Sequence, residues 1–259
     1  MRDFTIIGYS ALLKVLLKKG YSFKPFHEFI VKPKEKAAIL RHDVDRFPNN
    51  SLKTAQLEHE LGIKGSYYFR CMPESYNEKI IKQIASLGHE IGYHYETLDN
   101  FHGNVDRAYD EFCRNLEVFR KIVPVSTICM HGSPRSHFDN RDIWKKYDYR
   151  ELGIIGEPYF DIDFNKIFYL TDTGRCWDGY KFSMRDKVPM QEQWIKEGLT
   201  FHSTYDIIKA AENDRLPDQI MITVHPQRWT DSLIPWTKEL IFQNIKNIYK
   251  RGLIISGRI

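Results

Sequence analysis

Short apolar runs alternating with helix-patterned stretches constrain this chain of 259 residues more than any other feature. Runs at 37–43, 65–70, 89–95, 127–131, 167–172 and 219–225 are strand-sized. Between them the period changes to that of a helix, at 49–62, 77–87 and 104–122. In the last of these, Val105, Ala108, Tyr109, Phe112, Leu116 and Phe119 recur at helical spacing. Repeated strand–helix units imply a parallel sheet covered by helices. About seven of them favour an α/β barrel over an open sheet. A helix at 9–19 ending at Gly20 opens the chain, and another near 234–250 closes it. The stretch 133–166 has no clear period. We expect one domain over 1–259, with 1–36 as an N-terminal helical extension packed on the barrel.

Chemistry collects at the ends of the runs. Ala37-Ala38-Ile39-Leu40 leads into Arg41-His42-Asp43-Val44-Asp45. Side chains alternate along a strand, so Arg41, Asp43 and Asp45 share one face, with Leu40, His42 and Val44 on the other. Two neighbouring carboxylates at a strand end require a cation, either Arg41 or a bound metal. Three further runs finish on a histidine, namely His94, His131 and His225. All three stand at the same topological level as Asp43 and Asp45. Histidines grouped with a carboxylate suit zinc or another divalent transition metal. His42 and His89 lie beside these motifs but face away by parity, and His27, His59, His102, His137 and His202 read as ordinary core or surface residues.

Composition narrows the partners. The net charge is +4, from 38 basic and 34 acidic residues in a mixed pattern with no basic tract, which excludes a nucleic-acid reader. The first apolar stretch, 6–17, is too short to span a bilayer and is interrupted by Lys14, so neither a transmembrane segment nor a signal peptide is expected. Cys71, Cys113, Cys129 and Cys176 lie far apart, consistent with free thiols in the cytoplasm. Nothing in the sequence fixes an oligomeric state.

The motifs also carry a family resemblance. Arg41-His42-Asp43-Val44-Asp45 resembles the first motif of the NodB-homology polysaccharide deacetylases (carbohydrate esterase family four-like), in its Asp-Val-Asp form. Gly88-His89-Glu90-Ile91-Gly92-Tyr93-His94 resembles the second motif, and Met130-His131-Gly132-Ser133-Pro134 stands where the third belongs. Asp172-Thr173-Gly174-Arg175-Cys176-Trp177 resembles the fourth, and Ile222-Thr223-Val224-His225-Pro226 the fifth. The likeness covers roughly 37–230 and is strongest to the branch associated with bacterial surface-polysaccharide and O-antigen genes.

The resemblance implies a distorted barrel and a divalent metal, zinc foremost, with nickel or cobalt as alternatives. It assigns Asp43 as general base, Asp45 and His94 as metal ligands and His225 as general acid. The family's third ligand, a histidine four residues after the second, is Leu98 here. His131 is the first choice to replace it, ahead of Glu96 and His102. Arg41 or Arg135 would orient the base, and Asp172 would orient His225. Trp177 and Trp229 are the leading aromatic walls for a sugar, ahead of Tyr95, Tyr159 and Tyr180, with Arg135 a further substrate contact. The implied reaction is removal of an N-acetyl group from an amino sugar in surface-polysaccharide biosynthesis, the substrate being an amino sugar, a nucleotide sugar or a lipid-linked glycan. A deformylase or other small-amide hydrolase on the same barrel, or a sugar-binding protein that has lost its metal, are the alternatives.

Overall fold

A computed structural model describes residues 2–132, 136–178 and 188–255. In chain order its elements are α1 (Ile6–Lys18), β1 (Ser22–Lys24), α2 (Phe26–Val31), β2 (Ala37–Val44), α3 (Pro48–Glu60), β3 (Ser66–Phe69), α4 (Glu78–Ser86) and β4 (Glu90–Tyr95). They continue with α5 (Thr97–Asn100), α6 (Val105–Arg120), β5 (Ile128–Met130), α7 (Pro158–Asp161), β6 (Phe168–Thr171), α8 (Gln191–Lys196), α9 (Thr204–Glu212), β7 (Gln219–Val224) and α10 (Leu233–Ile255). The expected elements are present, within a few residues at their ends.

The strands form one parallel sheet in the order β5-β4-β3-β2-β7-β6, curled into a half-barrel with helices around it. This is the expected distorted barrel of parallel strands. Beside β5, among the described residues, the sheet continues as a single bridge between Thr127 and Gly156. The aperiodic stretch supplies short 3-10 turns, Asn140–Lys145 and Tyr149–Leu152. The first 36 residues contribute more than helices, because β1 pairs with the N-terminal half of β2 in the register Ser22↔Ala37.

The pleat divides the sheet into two faces. Val44, Tyr67, Phe69, Ile91, Tyr93, Ile128 and Met130 point outward into a core shared with α3, α4 and α6. The opposite, concave face is polar, and register lines it up in rows across the strands. Thr223, Arg41, Ser66 and Glu90 form one row, and Asp43, Tyr68 and Gly92 the next. Glycine is required at 92, since a Cβ there would stand 2.3 Å from the Tyr68 ring and 3.0 Å from the Thr127 carbonyl oxygen.

A buried polar knot interrupts the outward face. Glu58 of α3 accepts hydrogen bonds at Oε1 from Tyr9 (2.7 Å) and Tyr67 (2.9 Å), and His42 Nε2 stands 2.8 Å from the same oxygen. Burial would raise the Glu58 carboxyl, but His42, His89 and the Tyr9 hydroxyl together outweigh burial and lower it. The knot ties α1 to α3, β2 and β3, so His42 and His89 are structural, as their parity implied.

Gly92→Ala is expected to lower stability by about 2–3 kcal/mol through overpacking. Thermal unfolding would read this as a midpoint roughly 4–12 °C lower. An unchanged midpoint would show that Tyr68 yields without cost.

Candidate metal and catalytic site

Four strands deliver the site at their C-terminal ends. β2 runs into Asp43 and Asp45, β3 into Arg70, β4 into His94 and Glu96, and β7 into His225. His131 follows β5, where its N–H donates to the Tyr95 carbonyl (2.8 Å) and keeps it beside β4.

Asp43 is held by Arg41. The guanidinium donates from Nε to Oδ1 (2.8 Å) and from Nη2 to Oδ2 (2.6 Å), both side chains being buried. Burial would raise the Asp43 carboxyl, but the adjacent guanidinium holds it well below the usual carboxylate range. The Arg41 guanidinium lies over the Tyr159 ring, 5.1 Å from its centroid.

Asp45 is the hub. His94 Nε2 is 3.7 Å and His131 Nε2 3.6 Å from Asp45 Oδ1, while His225 Nε2 is 3.9 Å from Oδ2. Gln227 donates to Oδ2 from Nε2 (3.1 Å). Burial would raise this carboxyl too, but the imidazoles around it bring it down to about 2.

Each imidazole is oriented through its other nitrogen. His94 Nδ1 is 2.9 Å from the Cys129 carbonyl oxygen, which can only accept, so Nδ1 carries the proton and Nε2 presents a lone pair. Burial lowers the His94 pKa to about 4, so the ring is neutral at pH 7. His131 Nδ1 stands 2.8 Å from Glu96 Oε2, and Arg70 grips that carboxylate with Nε (2.9 Å) and Nη2 (2.8 Å). Burial pulls His131 down, but Glu96 and Asp45 outweigh it and raise its pKa. His225 Nδ1 is 2.6 Å from Asp172 Oδ1. Asp172 is fully buried and also accepts from Arg228 Nη1 (2.9 Å) and Trp229 Nε1 (2.7 Å). Burial works against its ionised form, but His225 and Arg228 keep the pKa low.

This donor set fits a divalent cation. Asp45 Oδ1 is buried without a hydrogen-bond partner, and the two nitrogens facing it belong to His94 and His131. A tetrahedral zinc with bonds of about 2.0–2.2 Å spaces its ligands roughly 3.3–3.6 Å apart, close to the separations here. A second grouping of Asp43, His94 and Cys129 also lies within coordinating reach, but each Asp43 oxygen accepts a hydrogen bond from Arg41, whereas Asp45 Oδ1 accepts none.

Of the residues singled out in the sequence, the structure brings Arg41, Asp43, Asp45, His94, His131, Asp172 and His225 together. Leu98 is buried in an apolar cluster with Ala108 and Ile143. Glu96 stands behind His131, and His102 is an exposed turn residue with φ 50°. Trp177 and Trp229 do not offer open faces. Trp229 is 1% exposed and spends its N–H on Asp172, and Trp177 is 5% exposed and donates to Thr204 Oγ1. Tyr95 is likewise buried, whereas Tyr159 is partly open beside Arg41. Arg135 and Tyr180 lie outside the described residues. Arg70, Gln227 and Arg228 were not anticipated. Arg70 shares the strand parity of Ser66 and Tyr68 on the concave face, a signal that could have found it, and the other two lie within one turn beyond His225.

No protein-family model and no curated protein sequence matches the chain. Among solved structures it is similar to a Streptococcus mutans CE4 esterase (14% identity, TM-score 0.47, covering 92% of this chain and 90% of that one). A family 4 carbohydrate esterase from Bacillus anthracis is similar at 14% identity and TM-score 0.43, covering 97% and 90%. The CE4 family pseudoenzyme BA3943 from Bacillus anthracis is similar at 12% identity and TM-score 0.45; 84% of this chain spans 62% of that one. Likeness at this level says nothing of what the chain does, which rests on the geometry of its own site.

Asp172→Asn is expected to cost about 3–5 kcal/mol, because it leaves Arg228 without its buried counter-charge. Asp172 has a lowered folded pKa, so its contribution to stability is in place above the unfolded carboxylate pKa of about 4 and fades as pH falls below it. Denaturant titrations across pH should therefore show the gap between wild type and variant narrowing in acid. A gap independent of pH would assign the cost to packing.

Proposed function

We propose that the protein is a metal-dependent hydrolase that removes an N-acetyl group from an amino sugar, carried as a nucleotide sugar or a lipid-linked glycan, in surface-polysaccharide biosynthesis. The observation that carries this reading is the arrangement around Asp45. One of its buried oxygens has no protein donor and faces the Nε2 atoms of two imidazoles, with a guanidinium-held carboxylate on one side and a carboxylate-backed histidine on the other. A pure sugar-binding module has no need of both flanking pairs.

Asp45, His94 and His131 would hold the cation. Once bound, a divalent ion supplies Lewis acidity, which makes water a nucleophile near neutral pH and polarises the amide carbonyl. The remaining work belongs to the chain's own groups. Asp43 Oδ2 lies 3.8 Å from His94 Nε2, so its carboxylate borders the reaction point and receives the proton of the attacking water. Arg41 fixes which way that carboxylate faces. His225 approaches from the Asp172 side and gives a proton to the departing amine, and the Asp172 carboxylate at Nδ1 stabilises the ring while it is charged. Glu96, clamped by Arg70, keeps His131 pointing inward; such outer partners typically matter about 10–100-fold for affinity. Cys71, Cys113, Cys129 and Cys176 lie far apart in the sequence, a spacing that favours a reducing compartment such as the cytoplasm.

The decisive measurement is acetate release from N-acetylhexosamine offered as oligosaccharide, nucleotide sugar and lipid-linked sugar, with zinc, cobalt or nickel supplied. Asp43→Asn should reduce turnover by about 10²–10⁴-fold while leaving sugar binding intact. Formate release from an N-formylated amine offered in parallel, with no acetate from the N-acetyl sugars, would favour the small-amide reading. Sugar binding with no turnover under any metal would instead mark a binding protein. Elemental analysis makes a separate test: metal should be near-stoichiometric in the wild type and fall to background in Asp45→Ala, His94→Ala and His131→Ala. Retention in the His131 variant alone would move the third ligand to Glu96.

A further inference from the structure

Glu96 stands at the head of α5, where a side chain would ordinarily cap the helix, yet it makes no capping bond. Its carboxylate is spent on His131 Nδ1 and on Arg70. The first N–H groups of a helix have no partner within it, so the cap has to come from elsewhere. Asn140 supplies it from the start of the 3-10 turn Asn140–Lys145. Its Oδ1 accepts from the Leu98 N–H (2.9 Å) and the Asp99 N–H (3.1 Å).

The same amide reaches the site. Asn140 Nδ2 donates to the His131 carbonyl (2.9 Å) and to Asp99 Oδ2 (3.2 Å). Both amide hydrogens and both lone pairs of the amide oxygen are therefore engaged, and the residue is fully buried. The partners also fix which way the amide points, since two N–H donors meet its oxygen and two oxygens meet its nitrogen. His131 is thus held at three points. Its N–H donates to the Tyr95 carbonyl (2.8 Å), its Nδ1 stands 2.8 Å from Glu96, and its own carbonyl accepts from Asn140. Two of the three depend on Asn140, because an uncapped α5 would compete with His131 for the Glu96 carboxylate.

We propose that Asn140 is a positioning residue for the metal site. By capping α5 in place of Glu96 and by holding the His131 carbonyl, it sets His131 Nε2 opposite Asp45 Oδ1. This step rests on the proposed role of His131 as a ligand. It gives the aperiodic stretch a task, which is to deliver one amide between the turn that carries Leu98 and the strand end that carries His131.

The test is cobalt binding by the full chain, read from the visible absorption of the bound ion and from competition with a chelator, neither of which needs turnover. Asn140→Ala removes both arms of the amide. Asn140→Asp keeps an oxygen for α5 but loses the donor to His131 and sets a second carboxylate beside Asp99. Both variants are expected to weaken cobalt by about 10–100-fold and to change its absorption band. Ile143→Ala loosens the apolar cluster around Leu98 without removing any Asn140 bond. It should lower the unfolding midpoint and leave cobalt affinity and band as in the wild type. If circular dichroism shows that Asn140→Ala is unfolded, Asn140→Asp decides alone. Unchanged affinity and band in the Asn140 variants would overturn the proposal, as would an equal loss of cobalt in Ile143→Ala. A wild type that binds no cobalt is a different result, which overturns the metal reading itself.

Discussion

The site depends on the buried pairing of Arg41 with Asp43. The polar face of β2 brings two carboxylates to the same strand end, where burial opposes the charge of each. Arg41, two residues earlier on that face, neutralises one with a planar fork that matches both oxygens. Asp45 is then the only one of the pair that still needs cationic company, and the surrounding imidazoles are arranged for that need. Removing the guanidinium would leave a buried charge uncompensated, at a cost of about 3–5 kcal/mol. The Tyr159 ring against Arg41 and the tight contact of Tyr68 with Gly92 hold the same layer of the half-barrel in place.

Three histidines face Asp45, and three different devices aim them. A backbone carbonyl serves His94, a carboxylate clamped by arginine serves His131, and a fully buried carboxylate serves His225. The differences have chemical weight. A carbonyl fixes the proton on one nitrogen without stabilising a charged ring, which suits a neutral ligand. A carboxylate favours the imidazolium, which suits a group that must hold and release a proton. His131 combines a ligand's position with a carboxylate partner, so cation binding there competes with protonation and weakens in acid.

Much of this was legible from alternation alone. Parity along 37–45 separated Arg41, Asp43 and Asp45 from His42, and the histidines at 94, 131 and 225 marked the same end of the sheet. What stayed hidden was non-local. Glu58 comes from a helix whose pattern gives no sign that it meets Tyr9, His42 and Tyr67 in the core. Trp177 and Trp229 sit close to motif residues in sequence, yet proximity along a chain does not say which way a ring turns, and both turn inward. The stretch 133–166 gave no period because its described residues form short 3-10 turns and one helical turn, each too brief to repeat a pattern.

β2 carries a further consequence. Its edges are hydrogen-bonded to β7 on one side and to β1 and β3 on the other. One face holds Arg41 and Asp43, and the reverse face holds His42 in the knot with Glu58. A strand of this kind has no silent direction. Insertion or deletion of one residue ahead of Arg41 would exchange the two faces, driving a carboxylate into the helix-packed core and turning a leucine or valine toward the site. Loops elsewhere can lengthen or shorten at little cost, but the frame of these eight residues is fixed from both sides at once.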